Sequence, residues 1–456
     1  MTTEVVEVLN EKPQDYATER KASAKSEDST VVSEDIVLEN GKQLKVSHAP
    51  KRNASSWTAF VNVVCAVAGA GALGIPHAVQ QCGWCGIILL ALAHIMAGYS
   101  GVVLIKCLYY KGNEYRLSSY QEVGEHAFGK IGKYLTIVFN CTIQLGAPIL
   151  YLILSGTNFQ LLLGPLGVPV SMKAWVFILT GTIAVPFVLT KTMKEVAILS
   201  LFGVLATAVT VVVVMIVSSV EYGLQTEHAE HAFLIPARLP IALSTFAFAY
   251  GGNVIYPHVE GTMAKPKQWT CTFNLGLMLV SVLYFGVAIP SYLAYGNATA
   301  NPVYNNLPAA WPRTVAIIFI TAHVLLATPL FLTSFALEVE GGLNINRVRY
   351  SARKELLLRA TVRILTILLC ATIAVVIPYF ENVMELMGSV AQGAIVFIFP
   401  LLFYVKLYGW RSFRWYELLW IAIAVAIGTA GSVIGMIDAV HGLIAAIKAD
   451  SHSGLV

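Results

Sequence analysis

From Trp57 onward the chain is a series of long apolar runs separated by short polar stretches. Eleven of these runs are long enough to cross a bilayer as helices, which takes about 20 residues each. Their predicted limits are 57–81, 83–108, 134–163, 174–190, 196–219, 240–260, 270–296, 313–337, 360–379, 384–406 and 416–437, the fourth being the shortest. Helices are the expected form because lipid offers no partner to an unpaired backbone group. Residues 1–52 break the pattern. They hold 10 of the 26 acidic and 8 of the 30 basic residues, no Trp or Phe, and no apolar periodicity. Such a segment buries too little surface to offset its ordering entropy and reads as a disordered tail. It lacks the apolar stretch that follows a basic start in a signal peptide. Its Ser, Thr and acidic residues would suit a regulatory protein partner. The expected division is a tail at 1–52, a transmembrane domain at 53–440 and a short C-terminal tail at 441–456.

Composition agrees with a membrane-embedded helical bundle. Of 456 residues only 12% are charged, while 57% are hydrophobic, and the mean hydropathy is +0.69. A soluble enzyme, a disulfide scaffold and a nucleic-acid binder are disfavoured. The net charge of +4 is not a partner signal, because the basic residues sort by topology. Alternate loops, beginning with the end of the tail, carry 21 Lys and Arg against 4 in the other set. The positive-inside rule then places the N-terminus in the cytosol and the C-terminus on the opposite side.

Two runs contain breakers at matching depth. The first has Gly69-Ala70-Gly71-Ala72-Leu73-Gly74-Ile75-Pro76. This matches G-x-G-x-x-G, but a dinucleotide site needs a preceding strand and an acidic residue about 20 positions on. Here the next twenty residues are uncharged. The better reading is a helix that unwinds, since glycine tolerates the backbone angles and Pro76 removes a donor. The sixth run repeats the feature with Phe246-Ala247-Phe248-Ala249-Tyr250-Gly251-Gly252-Asn253, then Pro257. Breaks five runs apart predict a 5+5 inverted repeat with one extra helix. The positive end of a half-helix suits a carboxylate and freed carbonyls suit an ammonium, so a zwitterionic amino acid fits both.

These residues carry a family resemblance. Asn62-Val63-Val64, the 69–76 segment and Gly83-Trp84 resemble the first two helices of the amino acid/auxin permease family. Phe246 to Tyr250 with Gly252-Asn253-Val254 resemble its sixth helix, Tyr295-Gly296-Asn297 the end of its seventh and His323-Val324 its eighth. The likeness covers roughly residues 55 to 440 and is closest to plant lysine/histidine-type and fungal members. It implies an eleven-helix, leucine-transporter-type fold and amino acid transport, usually driven by protons. The sodium-coupled branch carries an Asn where this chain has Cys65. A thiol is a poor ligand for a hard cation, so protons are favoured, although Asn62 and Thr328 would remain as oxygen donors.

The candidate substrate-binding residues are therefore Gly69, Ala70, Gly71, Ala72, Gly74, Phe246, Ala247, Tyr250, Gly251 and Asn253. Asn140 and Gln144, four apart on one face of the third run, join them as polar residues that either glue helices or face a cavity. Small side chains at Ala70, Ala72 and Ala247 point to neutral substrates. Ionisable groups inside a membrane are functional candidates; here they are His94, His258, Glu260, His323 and Asp438, with Glu260 expected to pair with Lys265. His323 lies well inside its run, has a side chain of suitable pKa and matches a position of the family it resembles, so it ranks first for proton coupling. Cys82-Gly83-Trp84-Cys85 reads as a turn rather than a redox motif, Asn297-Ala298-Thr299 as a glycosylation sequon, and Gly431-x-x-x-Gly435 as a close helix contact. No cluster of nucleophile, base and orienter suggests an enzyme. No cofactor or metal is expected, the proton gradient being the energy source. A sensor with little flux, a sodium-coupled carrier and an auxin carrier are the rivals. The membrane is either the plasma membrane or that of a vacuole or lysosome.

Overall fold

A computed structural model describes residues 35–39, 42–46 and 52–453, apart from 113–114, 190–192, 228 and 346–348. The chain divides into two units, Met1–Lys51 and Arg52–Val456. In the first, β1 (Asp35–Glu39) pairs antiparallel with β2 (Lys42–Val46). The rest of the predicted disordered tail lies outside the described residues.

The second unit is helical. Its elements are α1 (Ser56–Val67), α2 (Gly71–Cys82), α3 (Cys85–Leu108), α4 (Tyr120–Leu163), α5 (Met172–Leu189) and α6 (Met193–Leu224). Then follow α7 (Leu239–Ala249), α8 (Tyr256–Thr262), α9 (Trp269–Tyr295), α10 (Trp311–Gly342) and α11 (Ala352–Val376). The last are α12 (Phe380–Met387), a π-helical stretch (Gly388–Ile398), α13 (Phe399–Tyr408) and α14 (Trp415–Ser453). Among the described residues nine helices are long and apolar enough to cross a membrane, the segment from α12 to α13 counting as one. The pair α1 and α2, bent by 48° at the break, forms a tenth candidate. The protein is a multi-pass membrane protein. At 11 and 7 residues, α7 and α8 are each too short to cross alone.

Several boundaries differ from the apolar pattern. The helix expected from residue 134 starts at Tyr120, where Ser119 caps it by accepting from the Glu122 N–H. It is interrupted at Phe128 and at Gly129, whose φ of +64° is a left-handed value that favours glycine. Pro76 does not make the first break. It lies inside α2, and the helix opens earlier, at residues 68–70. The tenth run is π-helical at its centre, which apolarity alone does not reveal. The eleventh continues to Ser453, through most of the residues assigned to the C-terminal tail.

Packing places the broken helices centrally. α2 lies against α7, and α7 lies against the π-helical stretch and α14, while α9 runs past both α1 and α2. The Gly431–Gly435 pair is a close contact within the chain. A Cβ on Gly431 would lie 2.6 Å from Leu243 Cδ2, and one on Gly435 would strike Ser244, both on α7. Small residues let the two helices approach, as is usual in lipid.

Candidate functional site

The two breaks meet. α1 ends where Ala68 leaves helical geometry (ψ 60°) and its N–H returns to Val64 O, while the Gly69 N–H bonds Val67 O at 2.8 Å. α7 ends at Ala249, and residues 250–255 carry the chain to α8. A Cβ on Gly71 would lie 2.7 Å from Ala249 Cα, so the backbones touch and only glycine fits there. Tyr284 of α9, fully buried, places its hydroxyl 2.7 Å from both Val67 O and Ala249 O. It can donate to one of these carbonyls at a time.

Between the breaks lies a small cavity lined by Ala66, Val67, Gly69 and Gly71, by Ala147 and Tyr151, and by Phe248, Gly251, Phe331 and Gln392. These come from α1, α2, α4, α7 with its following loop, α10 and the π-helical stretch. The cavity holds about 10 Å³, room for about one water. The site is closed, and any amino acid requires the helices to separate. Gln392 is 2% exposed, its Oε1 has no hydrogen-bond partner among the described residues, and its amide fills the place where a Gly251 side chain would stand. Gln392, Phe331 and Tyr284 escaped the sequence reading, and Phe248, though part of the second breaker segment, was not among its candidate site residues. The signal for Gln392 was a lone amide within an apolar run flanked by Gly388 and Gly393.

His323 of α10 sits beside the first break. Its Nδ1–H donates to Gly203 O of α6 at 2.9 Å, leaving Nε2 as the acceptor nitrogen. Nε2 is buried without a hydrogen-bond partner among the described residues, 3.3 Å from where a Gly69 Cβ would stand. Tyr151 packs edge-on to the ring, with centroids 6.4 Å apart. Thr328 turns its hydroxyl to Val324 O of its own helix, at 2.6 Å. Asn62 is buried, with Oδ1 unpaired among the described residues.

The other candidates lie around this centre rather than in the cavity lining. Tyr250 Oη is 2.9 Å from Ser281 Oγ, which is 2.6 Å from His94 Nδ1, linking the second break to α9 and α3. Asn253 Nδ2 donates to Ser100 Oγ and Ile395 O at 3.1 and 3.3 Å, tying the loop to α3 and the π-helical stretch. Gln144 Nε2 donates to Ser334 Oγ and Glu338 Oε1 of α10, both at 3.0 Å. Glu338 stands 3.9 Å from His258 of α8. Asn140 is buried with Oδ1 unpaired among the described residues. Ala70, Ala72, Phe246 and Ala247 are buried, and Gly74 admits Met384, whose Cε would be 2.6 Å from a Cβ there. Asp438 is half-buried on α14.

Polar clusters close both ends of the bundle. At one end Glu260, fully buried, accepts from Arg116 Nε at 2.7 Å and from Tyr109 Oη at 2.5 Å, with Arg52 Nη1 4.0 Å away. Its partner is therefore Arg116, not the expected Lys265. The strand-like residue Ala54 bonds both Thr262 O and the Ala264 N–H, which fastens the start of α1 to the end of α8. At the other end His77 of α2 lies 2.7 Å from Glu381 of α12, and Gln81 donates to Glu385 at 2.9 Å. Cys82 and Cys85 are both free thiols.

A chain so built is similar to known transporters. It is 28% identical over 424 residues to the vesicular inhibitory amino acid transporter of Xenopus tropicalis, covering 89% of this chain and 80% of that protein. It is 25% identical over 447 residues to the Arabidopsis thaliana amino acid transporter AVT1C, covering 93% and 74%. Its fold resembles that of MhsT solved with L-phenylalanine, with a TM-score of 0.53 at 13% identity, over 85% of this chain and 99% of that one. These relatives are transporters, not enzymes. The family profile described as transmembrane amino acid transporter protein matches residues 52–441, and the chain belongs to that family, the amino acid/auxin permeases.

Proposed function

We propose that this protein is a proton-coupled secondary active transporter of amino acids, preferring neutral side chains, that works by alternating access. The observation that carries the reading is the meeting of the two helix breaks around one closed cavity. The substrate carboxylate would lie at the positive N-terminal end of α2, in competition with the turn bonds from the Ala72 and Leu73 N–H groups to Gly69 O and Ala70 O. The ammonium would lie at the carbonyl ends of α1 and α7, in competition with the Tyr284 hydroxyl. Tyr151, Phe248, Phe331 and Gln392 would surround the side chain. Among the described residues no Asp, Glu, Lys or Arg lines the cavity, which supports neutral substrates.

His323 is the proposed proton carrier, because its acceptor nitrogen faces the break where the substrate would bind. The topology in this reading is eleven spans, α7 with α8 forming the sixth, arranged as a 5+5 inverted repeat plus α14. The N-terminus is cytosolic, the Glu260 cluster is the cytosolic closure and the His77 cluster the opposite one. The names of the vesicular and plant relatives support amino acids as cargo, and that of the vesicular one favours an internal membrane over the plasma membrane.

The test is uptake of radiolabelled amino acids into proteoliposomes under an inward pH gradient, an inward sodium gradient, or neither. Stimulation by the pH gradient alone is the expected result. Stimulation by sodium alone would overturn proton coupling and turn attention to Asn62 and Thr328. No uptake by folded, inserted protein would favour a sensor.

A further inference from the structure

The closure at the His77 end holds more acceptors than donors. His77 Nδ1 is 2.7 Å from Thr299 O, so Nδ1 carries a proton donated to that carbonyl. Nε2 stands 2.7 Å from Glu381 Oε1, an ion pair in which a protonated ring donates to the carboxylate and a metal-ligating lone pair once that proton leaves. Glu385, 5% exposed, brings a second carboxylate. The acceptor atoms of His77, Glu381 and Glu385 all lie within 4.8 Å of one another. Gln81 Nε2 donates to Glu385 and approaches His77 Nε2 at 3.2 Å, while Gln81 Oε1 is buried without a partner among the described residues. Arg238 is the nearby cation and acts on Glu385. The set is one imidazole and two carboxylates, balanced by Arg238 and by the proton on His77, and it offers three converging ligand atoms to a cation that displaces that proton.

We propose that His77, Glu381 and Glu385 bind one divalent transition-metal ion of the zinc class, and that the bound ion holds α2 against α12. The ligand set is imidazole nitrogen and carboxylate oxygen, which suits zinc with a fourth position left open. The imidazole has the supporting contact typical of a metal ligand, since its other nitrogen donates to a backbone carbonyl. Gln81 orients Glu385 in the same way. Ligand atoms around a tetrahedral zinc stand about 3.4 Å apart, given metal–ligand bonds of about 2.0–2.2 Å. The present spacings, 2.7 Å from His77 Nε2 to Glu381 Oε1 and within 4.8 Å across the set, bracket that value. His77 and Glu381 lie on separate helices, so sequence spacing does not reveal the set. On the transport reading, α2 and α12 must part each time this end opens, so the ion would act as a brake. That consequence rests on the reading above; the binding does not.

The test uses the full-length protein, purified in detergent, titrated with zinc chloride and separately with magnesium chloride by calorimetry and thermal unfolding. The expected result is saturable 1:1 zinc binding with a raised unfolding midpoint, and no response to magnesium. His77→Ala and the near-isosteric Glu385→Gln should each weaken zinc at least about tenfold. His126→Ala, at the far end of the bundle, should leave affinity unchanged. Absence of saturable binding in the wild type, or affinity unchanged in both variants, overturns the site. If His77→Ala does not fold, Glu385→Gln decides. In proteoliposomes zinc should slow wild-type uptake and spare Glu385→Gln. Zinc binding with undiminished uptake overturns the brake, whereas uptake absent with or without zinc strikes the transport reading and leaves the binding result standing.

Discussion

Gly71 and Ala249 meet backbone to backbone: a Cβ on residue 71 would stand 2.7 Å from Ala249 Cα and 3.0 Å from Ala249 Cβ. The start of α2 and the end of α7 are thus held at the closest approach two helices allow. No flexible side-chain tip is involved, so the contact cannot yield without moving backbone. Gly71→Ala should therefore force the two breaks apart, at an overpacking cost of about 1–3 kcal/mol. The expected outcome is uptake reduced at least about tenfold, with the protein still inserted and a lowered unfolding midpoint. Gly181→Ala on α5, where a Cβ meets nothing within 4 Å, should change neither. Equal uptake in the two variants would show that the close approach has no part in transport.

His323 gives the second prediction. Its Nδ1–H is committed to Gly203 O, so in the proposed coupling Nε2 is the position that would gain and lose the proton. Asn at 323 keeps a donor for Gly203 O but titrates nowhere near neutral pH. In His323→Asn the ratio of uptake with and without a pH gradient should fall to about one, while exchange of internal for external amino acid persists. A preserved ratio would remove His323 from proton coupling.

How far the site was legible depended on the distance over which its residues act. The breaks were legible because glycine pairs act on their own backbone, although Pro76 misled as to where the first one opens. Their meeting was legible in outline, since both interrupt apolar runs at equal depth. Gln392 was not, because its direction depends on a π-helical register set by packing against α7 and α14. The Glu260 partnership was not legible either. Lys265 stands five residues away in sequence, but Arg116, 144 residues earlier, is delivered by the loop between α3 and α4. The same limit hid the role of Gln144, whose partners Ser334 and Glu338 lie on α10.

Gln392 supplies the third prediction. Its amide is packed into the notch left by Gly251, with Oε1 unpaired among the described residues. π-helical segments often mark functional positions in helices. Gln392→Ala should enlarge the cavity and remove a donor and an acceptor from the substrate's surroundings. Loss of one hydrogen bond, about 0.5–1.5 kcal/mol, should raise KM by up to about tenfold. Competition uptake should also shift toward amino acids with larger side chains. An unchanged selectivity profile would show that Gln392 only fills space.

The final prediction concerns the Glu260 closure. Glu260 is fully buried, and its two carboxylate oxygens divide the work, Oε1 accepting from Tyr109 and Oε2 from Arg116. Arg116 also donates to Pro257 O at 2.5 Å and to Leu117 O at 3.0 Å, so it joins the loop after α3 to α8. Removing one partner of a buried pair leaves the other charge uncompensated, at about 3–5 kcal/mol. Arg116→Met should accordingly destabilise the closed state more than Glu260→Gln, which keeps an acceptor for Tyr109 and leaves Arg116 its bonds to Pro257 O and Leu117 O. If this end is a gate, both variants should populate its open state. In an Ala147→Cys background, the thiol lining the cavity should then react faster with a thiol reagent supplied from the side of Arg52, in the order Arg116→Met, Glu260→Gln, wild type. The double variant Arg116→Met/Glu260→Gln should recover part of the loss, because neither charge remains buried alone. Equal labelling rates in all four proteins would mean that the cluster holds the fold together without controlling access to the cavity.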